Sequence, residues 1–188
     1  MQTFQTNPKI SVRHLQFDDH EKIVDYFLNS EKDFLIGMGV DINKLPQRQE
    51  WLTILTSNYE LEIDKKNFFY IIWLLDNKPV GHSNINKIVF AKEAFMHLHM
   101  WDKHIRKKGL GVEFLRMTLP YYFDIFKLET LFCEPFALNI APNKTLEKLG
   151  FEFVKTYDTI PGWINSYQSV NRWVLTKEKF NYLSKQKK

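Results

Sequence analysis

Arg106-Lys107-Lys108-Gly109-Leu110-Gly111 joins an alternating segment, Ala94 to Trp101, to a long amphipathic stretch that ends near Phe126. Two glycines one residue apart let the backbone curl tightly, so that successive amide hydrogens point toward a common centre. A helix opening at Gly109 or Gly111 adds its own unpaired N–H groups and the positive end of its dipole. Arg106, Lys107 and Lys108 place three cations beside that centre. Such a turn, set between a strand and a helix, is suited to hold a pyrophosphate. Neither GxxxxGK[ST] nor GxGxxG occurs in the chain, which argues against a nucleotide-hydrolase loop and a dinucleotide fold.

The stretch after the turn carries Val112, Leu115, Leu119, Tyr122 and Phe126 three and four residues apart, one apolar helical stripe, and Pro120 predicts a kink within it. Upstream, Asn67 to Leu75 is a continuous apolar run, as in a strand buried on both faces, and Asp76-Asn77-Lys78 turns it back into a partner strand, Pro79 to Ile88. Nearer the start, Ile10 to Leu15 alternates as a strand. Asp18 or Asp19 then caps a helix through Leu28 that points Ile23, Tyr26 and Phe27 inward. Asn29 to Pro46 reads as an irregular loop with a helical turn. Gln47 to Ser57 reads as a helix presenting Trp51, Ile54 and Leu55. Downstream, Leu128 to Cys133 is a strand, Asn139 caps a short helix that Gly150 ends, and Phe151 to Tyr157 and Val170 to Leu175 are closing strands. This order implies an α/β (α+β) class. The sheet is mixed and mostly antiparallel, of six to seven strands, with one strand–helix–strand crossover and helices on both faces.

A chain of 188 residues, 44% hydrophobic, fits one domain over residues 1–188 with a basic tail from about 184 to 188. The net charge of +4 is mild, and no basic stripe interleaves with exposed aromatics, so a nucleic-acid partner is not expected. The single cysteine, in Leu131-Phe132-Cys133, reads as a core residue, excludes an internal disulfide and fits a reducing compartment. The polar start has no secretory apolar stretch, and no run approaches the roughly 20 apolar residues of a membrane span, so a cytoplasmic protein is expected.

The Arg-x-x-Gly-x-Gly turn resembles the coenzyme A pyrophosphate loop of GNAT acetyltransferases. By chance such a hexamer occurs in about one chain in twenty, so a second element has to support it. Asn139-Ile140-Ala141-Pro142-Asn143-Lys144-Thr145-Leu146-Glu147-Lys148-Leu149-Gly150-Phe151 is similar to the family's Asn-x-x-Ser/Ala…Glu-Lys-Leu-Gly-Phe helix and following strand. The strand order matches from Ile10 to Leu175, and the resemblance is greatest to the Rim-type branch, the ribosomal-protein alanine acetyltransferases. It implies acetyl-CoA as co-substrate, with Met100, Trp101, Arg106, Lys107, Lys108, Gly109, Leu110, Gly111, Asn139 and Asn143 as its binding residues and no metal. Many GNAT enzymes carry a Tyr four residues before the Gly to protonate the leaving thiolate. Here that position is Leu146, so no general acid is assigned.

His97 and His99 lie two apart on the strand before the turn and share a face, as do His82 and Asn84 on its neighbour. In a strand such histidines are often structural. Beside a cofactor loop they become candidates to take a proton from the acceptor amine, with an unperturbed pKa near 6.5. A His-x-His metal pair is the third reading, with no carboxylate nearby in sequence to support it. Glu134, at the end of the Leu128 to Cys133 strand, is the competing base. Trp163, Tyr167 and Trp173 read as packing residues. The implied reaction is direct transfer of acetyl from acetyl-CoA to a primary amine, a small molecule or a protein N-terminus, with backbone amides near His99 to Trp101 holding the oxyanion. The competing reading is an acyl-CoA sensor of the same fold without transfer activity. The sequence leaves the acceptor and the oligomeric state open, a homodimer included.

Overall fold

Asp76 and Asn77 both adopt positive φ, 48° and 64°, the backbone that a two-residue hairpin needs to match the twist of its strands. They join β2 (Phe68–Leu75) to β3 (Lys78–Val89), which pair antiparallel. A computed structural model of the chain describes residues 8–106 and 108–186. In it β1 (Ile10–His14) pairs antiparallel with β2, and β4 (Glu93–Met100) antiparallel with β3. Helix α4 (Leu110–Ile125) crosses over to β5 (Thr130–Cys133), which lies parallel to β4. β7 (Gln168–Thr176) pairs antiparallel with β5, and β6 (Glu152–Thr159) pairs with β7 at the edge. The order is therefore β1-β2-β3-β4-β5-β7-β6, a seven-stranded, mostly antiparallel sheet as expected. Helices α1 (Asp19–Leu28), α2 (Lys32–Gly37) and α3 (Arg48–Tyr59) lie between β1 and β2. Helix α5 (Ile140–Lys148) precedes β6, and α6 (Lys177–Lys185) follows β7.

Two apolar clusters sandwich the sheet. One sets α4 against β2 to β5 and β7, and the stripe Val112, Leu115, Leu119, Tyr122 and Phe126 is buried throughout. Phe114, Thr118 and Phe123 are buried too, so α4 is enclosed over more than one stripe, and it continues through Pro120. Fully burying each such large side chain is worth about 1.5–3 kcal/mol. Trp73 stacks on Phe114 with ring centroids 5.2 Å apart and donates its Nε1–H to Thr118 Oγ1 at 3.0 Å. Tyr122 donates its hydroxyl to Ser83 Oγ (2.9 Å), which donates to the His97 carbonyl (2.7 Å). Helix α4 thus holds the backbone of β4 through two buried hydroxyls. On the opposite face Ile23, Val24 and Phe27 of α1 pack with Leu35 of α2 and with Trp51 and Leu55 of α3. Asn58 pins the end of α3 to β2, donating to the Phe68 carbonyl at 2.8 Å and accepting from Asn67 N at 2.8 Å.

Several local expectations change. Asp18 stands at the start of α1 without a side-chain cap bond; Asp19 instead accepts from Gln16 N (2.9 Å) and takes two bonds from Arg13 (2.5 and 3.0 Å), tying the helix to β1. The Asn29–Pro46 loop contains a regular helix, α2. Of the expected basic tail, Ser184 and Lys185 belong to α6, which is capped by Thr176 and docked through Phe180 on Phe123; Lys187 and Lys188 lie outside the described residues.

Asn139 occupies the cap position of α5, but its side chain makes no cap bond. The work of fixing this helix falls to Asn143. Its Nδ2 donates to the carbonyls of Asn139 (2.8 Å) and Phe136 (3.3 Å), and its Oδ1 accepts from Asn171 Nδ2 (2.9 Å) and Trp173 Nε1 (2.8 Å). All four bonding positions of the amide are used, so the group expected to touch a cofactor has none to spare. Asn143→Ala should lower the stability by about 1–3 kcal/mol, the cost of leaving partly buried partners unsatisfied. Urea denaturation checks this, as a lower midpoint with an unchanged slope.

Candidate active site

β4 and β5 pair from Glu93↔Thr130 to Met96↔Cys133 and then separate. Past Cys133 the chain follows β7 instead: the Pro135 carbonyl accepts from Asn171 N (3.1 Å), and Ala137 N donates to the Ser169 carbonyl (2.9 Å). Residues His97–Met100 of β4 are left without a strand on that side. Trp101 N donates to the Val80 carbonyl at 2.8 Å, so strand alternation turns His99 N toward β3 as well and directs Leu98 and Met100 N–H to the open edge. Of the amides expected to face a ligand between His99 and Trp101, only that of Met100 does so, and Leu98 joins it.

The turn into α4 lies at the far end of the same gap. Gly109 has φ +80°, in the left-handed region, and a Cβ built on Gly109 or Gly111 would meet no atom within 4 Å. The glycines therefore expose bare backbone, leaving a cradle that a side chain would fill. Lys108 is exposed beside it, while Lys107 lies outside the described residues. Arg106 is committed elsewhere. Its Nε donates to the Met100 carbonyl (3.0 Å), an Nη donates to the Trp101 carbonyl (3.1 Å), and the guanidinium lies 4.0 Å from the Phe34 ring centroid. Arg106 thus braces the end of β4 against α2 rather than reaching over the turn.

The other face of the gap opens into a cavity of about 140 Å³, lined by His82, Asn84, Asn86, His97, His99, Glu134 and Asn139 among others. The sheet brings these together because 82, 84, 86 and 97, 99 alternate onto one face of adjacent strands. Phe27, Trp51, Tyr70 and Trp163 supply aromatic walls. Trp163, expected to be packing, is a wall of this cavity that remains 55% exposed. Met100, Trp101 and the glycine turn lie outside the cavity, at the end of β4 and the start of α4.

Burial holds all three histidines neutral. His97 is lowered to about 4, by desolvation first, then by Lys87, against a smaller opposing effect of Glu134. His99 is lowered to about 3 by burial, with His97 and Arg106 adding to it, and His82 lies well below the usual histidine value by burial and its two neighbours. The expectation of titration near pH 6.5 therefore fails, because desolvation of each ring outweighs any favourable charge, including that of Glu134 on His97. His82 Nδ1 accepts from Trp101 Nε1 at 2.8 Å. His99 is edge-packed between Tyr26 and Phe27. His97 Nε2 and Asn86 Oδ1 are buried without any hydrogen-bond partner.

Glu134 is not a free carboxylate. Its Oε1 accepts from Arg172 Nε at 2.5 Å and from the Tyr157 hydroxyl, and Arg172 also donates to that hydroxyl at 2.6 Å. Oε2 has no such partner among the described residues. Arg172 further lies 5.6 and 5.4 Å from the Phe95 and Phe132 ring centroids. Nothing in sequence linked Glu134 to residues 157 and 172; that link exists only once the β5–β7–β6 register is formed. Asn86 could have been read from the alternation that marked His82 and Asn84. Cys133 is buried, and burial pushes its thiol well above the usual value, which removes it as a nucleophile. Leu146 is fully buried in the α4-side core. Among the described residues, no three His, Cys, Asp or Glu side chains converge to hold a metal ion.

Residues 9–152 match the family description of an acetyltransferase (GNAT) domain. No curated protein sequence matches the chain. Among solved structures, a RimL ribosomal L7/L12 alpha-N-protein acetyltransferase in complex with coenzyme A superposes with a TM-score of 0.72 at 14% identity, over 90% of this chain and 95% of that one. Spermidine N-acetyltransferase from Vibrio cholerae, in complex with CoA and spermine, gives 0.75 at 15% identity, over 92% and 98%. Aminoglycoside acetyltransferase AAC(6')-Ib in complex with coenzyme A gives 0.71 at 14% identity, over 94% and 99%. The likenesses show a shared fold, and the match over residues 9–152 shows the family: this chain belongs to the GNAT acetyltransferases.

Proposed function

We propose that the protein is an acetyl-CoA-dependent N-acetyltransferase that moves the acetyl group directly onto a primary amine. One observation carries this reading. The single gap between β4 and β5 presents two backbone donors, Leu98 and Met100, on one side and a polar-lined cavity on the other. Acetyl-CoA supplies an acyl thioester. The residues present suit it: the Leu98 and Met100 amides match the amide-bearing arm, and the bare backbone at Gly109 and Gly111, with the first N–H groups of α4 and Lys108, matches the pyrophosphate. Asn139 lines the cavity with an unoccupied side chain and is proposed to contact the same arm.

An acceptor amine with a pKa of about 10.4 has to lose a proton before it attacks. His97 is neutral and its Nε2 is unpartnered, so it accepts a hydrogen bond from the amine nitrogen. The proton passes to His97, where the charge of Glu134 favours the protonated ring, and from there to bulk water, which returns the ring to its neutral form. His99 and His82 shape the wall behind it. The leaving thiolate, with a thiol pKa of about 8.5, departs without a dedicated acid, which is consistent with Leu146. The same Leu146 favours the competing reading of an acyl-CoA-binding module without transfer. No described helix is long and apolar enough to cross a membrane, and the lone buried thiol suits a single-domain protein of the cytoplasm.

Release of free CoA from acetyl-CoA over a panel of amines tests transfer against binding alone. Gly109→Val should abolish acetyl-CoA binding in calorimetry, since a β-branched residue at φ +80° is strained and fills the cradle; unchanged affinity would remove the turn from the site. Asn139→Ala should leave the stability unchanged, because no cap bond is lost, and should raise the KM for acetyl-CoA.

The neutral histidines also set an acid sensitivity. In the unfolded chain each titrates near 6.5, whereas folded His97 does so at about 4 and His99 at about 3. Between about pH 6.5 and pH 4 the unfolded state binds more protons, so stability is complete above 6.5 and falls with acid by up to about 1.4 kcal/mol per pH unit for each histidine. His97→Gln should make that fall shallower by one histidine's share, read from urea denaturation between pH 7.5 and 4.5. Equal slopes would mean that His97 titrates normally.

A further inference from the structure

The cavity is roofed by a latch. Between β6 and β7, Ile164 and Asn165 are fastened to the loop after α2. Asp41 N donates to the Ile164 carbonyl (2.8 Å), Asn165 Nδ2 to the Gly39 carbonyl (2.7 Å), and Lys44 Nζ to the Asn165 carbonyl (2.8 Å). Val40 and Asn165 form a β-bridge, and Trp163 meets Trp51 edge to face at 5.7 Å. A polypeptide reaching for the β4–β5 gap from this side would have to displace these bonds.

Below the roof the charge is nearly balanced. Among the described residues, Glu134 is the only carboxylate on the wall, and Arg172 already pairs with it. Lys87 stands close enough to depress His97 and is held by the Pro161 carbonyl at 3.0 Å. A polycation would find one compensated carboxylate on the wall and, outside the lining, a lysine whose charge already acts on His97. The space, about 140 Å³, is close to the roughly 150 Å³ of an apolar cavity that takes up benzene. On two of the lining residues, Asn86 Oδ1 and His97 Nε2 are buried without a hydrogen-bond partner, an arrangement that is costly unless a ligand draws them out and supplies a donor.

We infer that the acceptor is a compact monoamine, one amino group on an apolar body about the size of a six-membered ring, with its nitrogen donating to Asn86 Oδ1 and His97 Nε2. This rests on the transfer reading above and names its substrate class. Asn86 is a substrate-binding residue under this assignment. The aromatic walls take the body, the two acceptors orient the nitrogen, and the latch excludes longer chains.

The test compares benzylamine, spermidine, kanamycin and a short peptide with N-terminal alanine as acceptors for the full chain with acetyl-CoA. The kcat/KM for benzylamine should exceed each of the others by tenfold or more. Asn86→Ala should raise the benzylamine KM by about ten- to a hundredfold, the loss of a bond to a charged or strongly polarised donor, and leave the acetyl-CoA KM unchanged. The double variant Lys44→Ala, Asn165→Ala, which loosens the roof away from the polar floor, should narrow the preference over the peptide. Spermidine, kanamycin or the peptide matching or exceeding benzylamine would overturn the assignment, as would an unchanged benzylamine KM in Asn86→Ala. Calorimetry of benzylamine with the CoA-loaded protein separates this inference from the transfer reading. Binding without turnover of any amine sinks transfer and keeps the site, whereas absence of binding overturns the site.

Discussion

After Cys133 the chain has a choice of partner, and it follows β7. The Pro135 carbonyl and the Ala137 amide are both taken up by β7, and the pairing with β4 ends at Met96↔Cys133. Glu134 is drawn the same way by Arg172 and Tyr157. The separation of β4 from β5 is thus a consequence of better bonding on the β7 side, and it leaves two strand amides and a sheltered cavity at one place. Buried peptide groups seldom stay unpaired in a folded protein, so an edge of this kind is the natural seat of a ligand.

The surrounding structure is organised to keep that edge rigid. From one face, Tyr122 and Ser83 hold the His97 carbonyl. At the end of the strand, Arg106 holds the Met100 and Trp101 carbonyls while stacking on Phe34 of α2. A cation that sequence placed at a phosphate instead braces the strand carrying the donors, and the cradle proposed for the phosphate consists of bare backbone and Lys108. The histidine face follows the same economy of charge. Three adjacent rings all remain neutral, and of their nitrogens only His97 Nε2 is both buried and without a hydrogen-bond partner among the described residues.

The long-range architecture was readable because it rests on period and punctuation. The apolar run at Phe68 to Leu75, the Asp76-Asn77 turn, the stripe of α4 and the glycine turn at Gly109 each carry their own local cause. What sequence hid depends on register. Glu134 looked like an available base until β5, β7 and β6 aligned it with Arg172 and Tyr157. Asn143 looked like a ligand until α5 docked on β7 and used its whole amide. Asn139 resembled a cap by its position, yet the short helix is secured from Asn143 instead. The latch at Gly39 and Asn165 joins loops more than a hundred residues apart, and no local pattern announces such a contact. Asn86 is the exception, since it continues the His82 and Asn84 alternation.

The central claim is that one gap serves both the coenzyme and the acceptor, and backbone amides are its most direct witnesses. Titration of the 15N-labelled protein with CoA, followed by amide chemical shifts, reads them individually. Leu98, Met100, Leu110 and Gly111 should shift together and saturate with a single affinity, while Thr53 and Thr56 in the groove between α1 and α3 should stay in place. Shifts confined to that groove, or a binding event that leaves Leu98 and Met100 unmoved, would contradict the account.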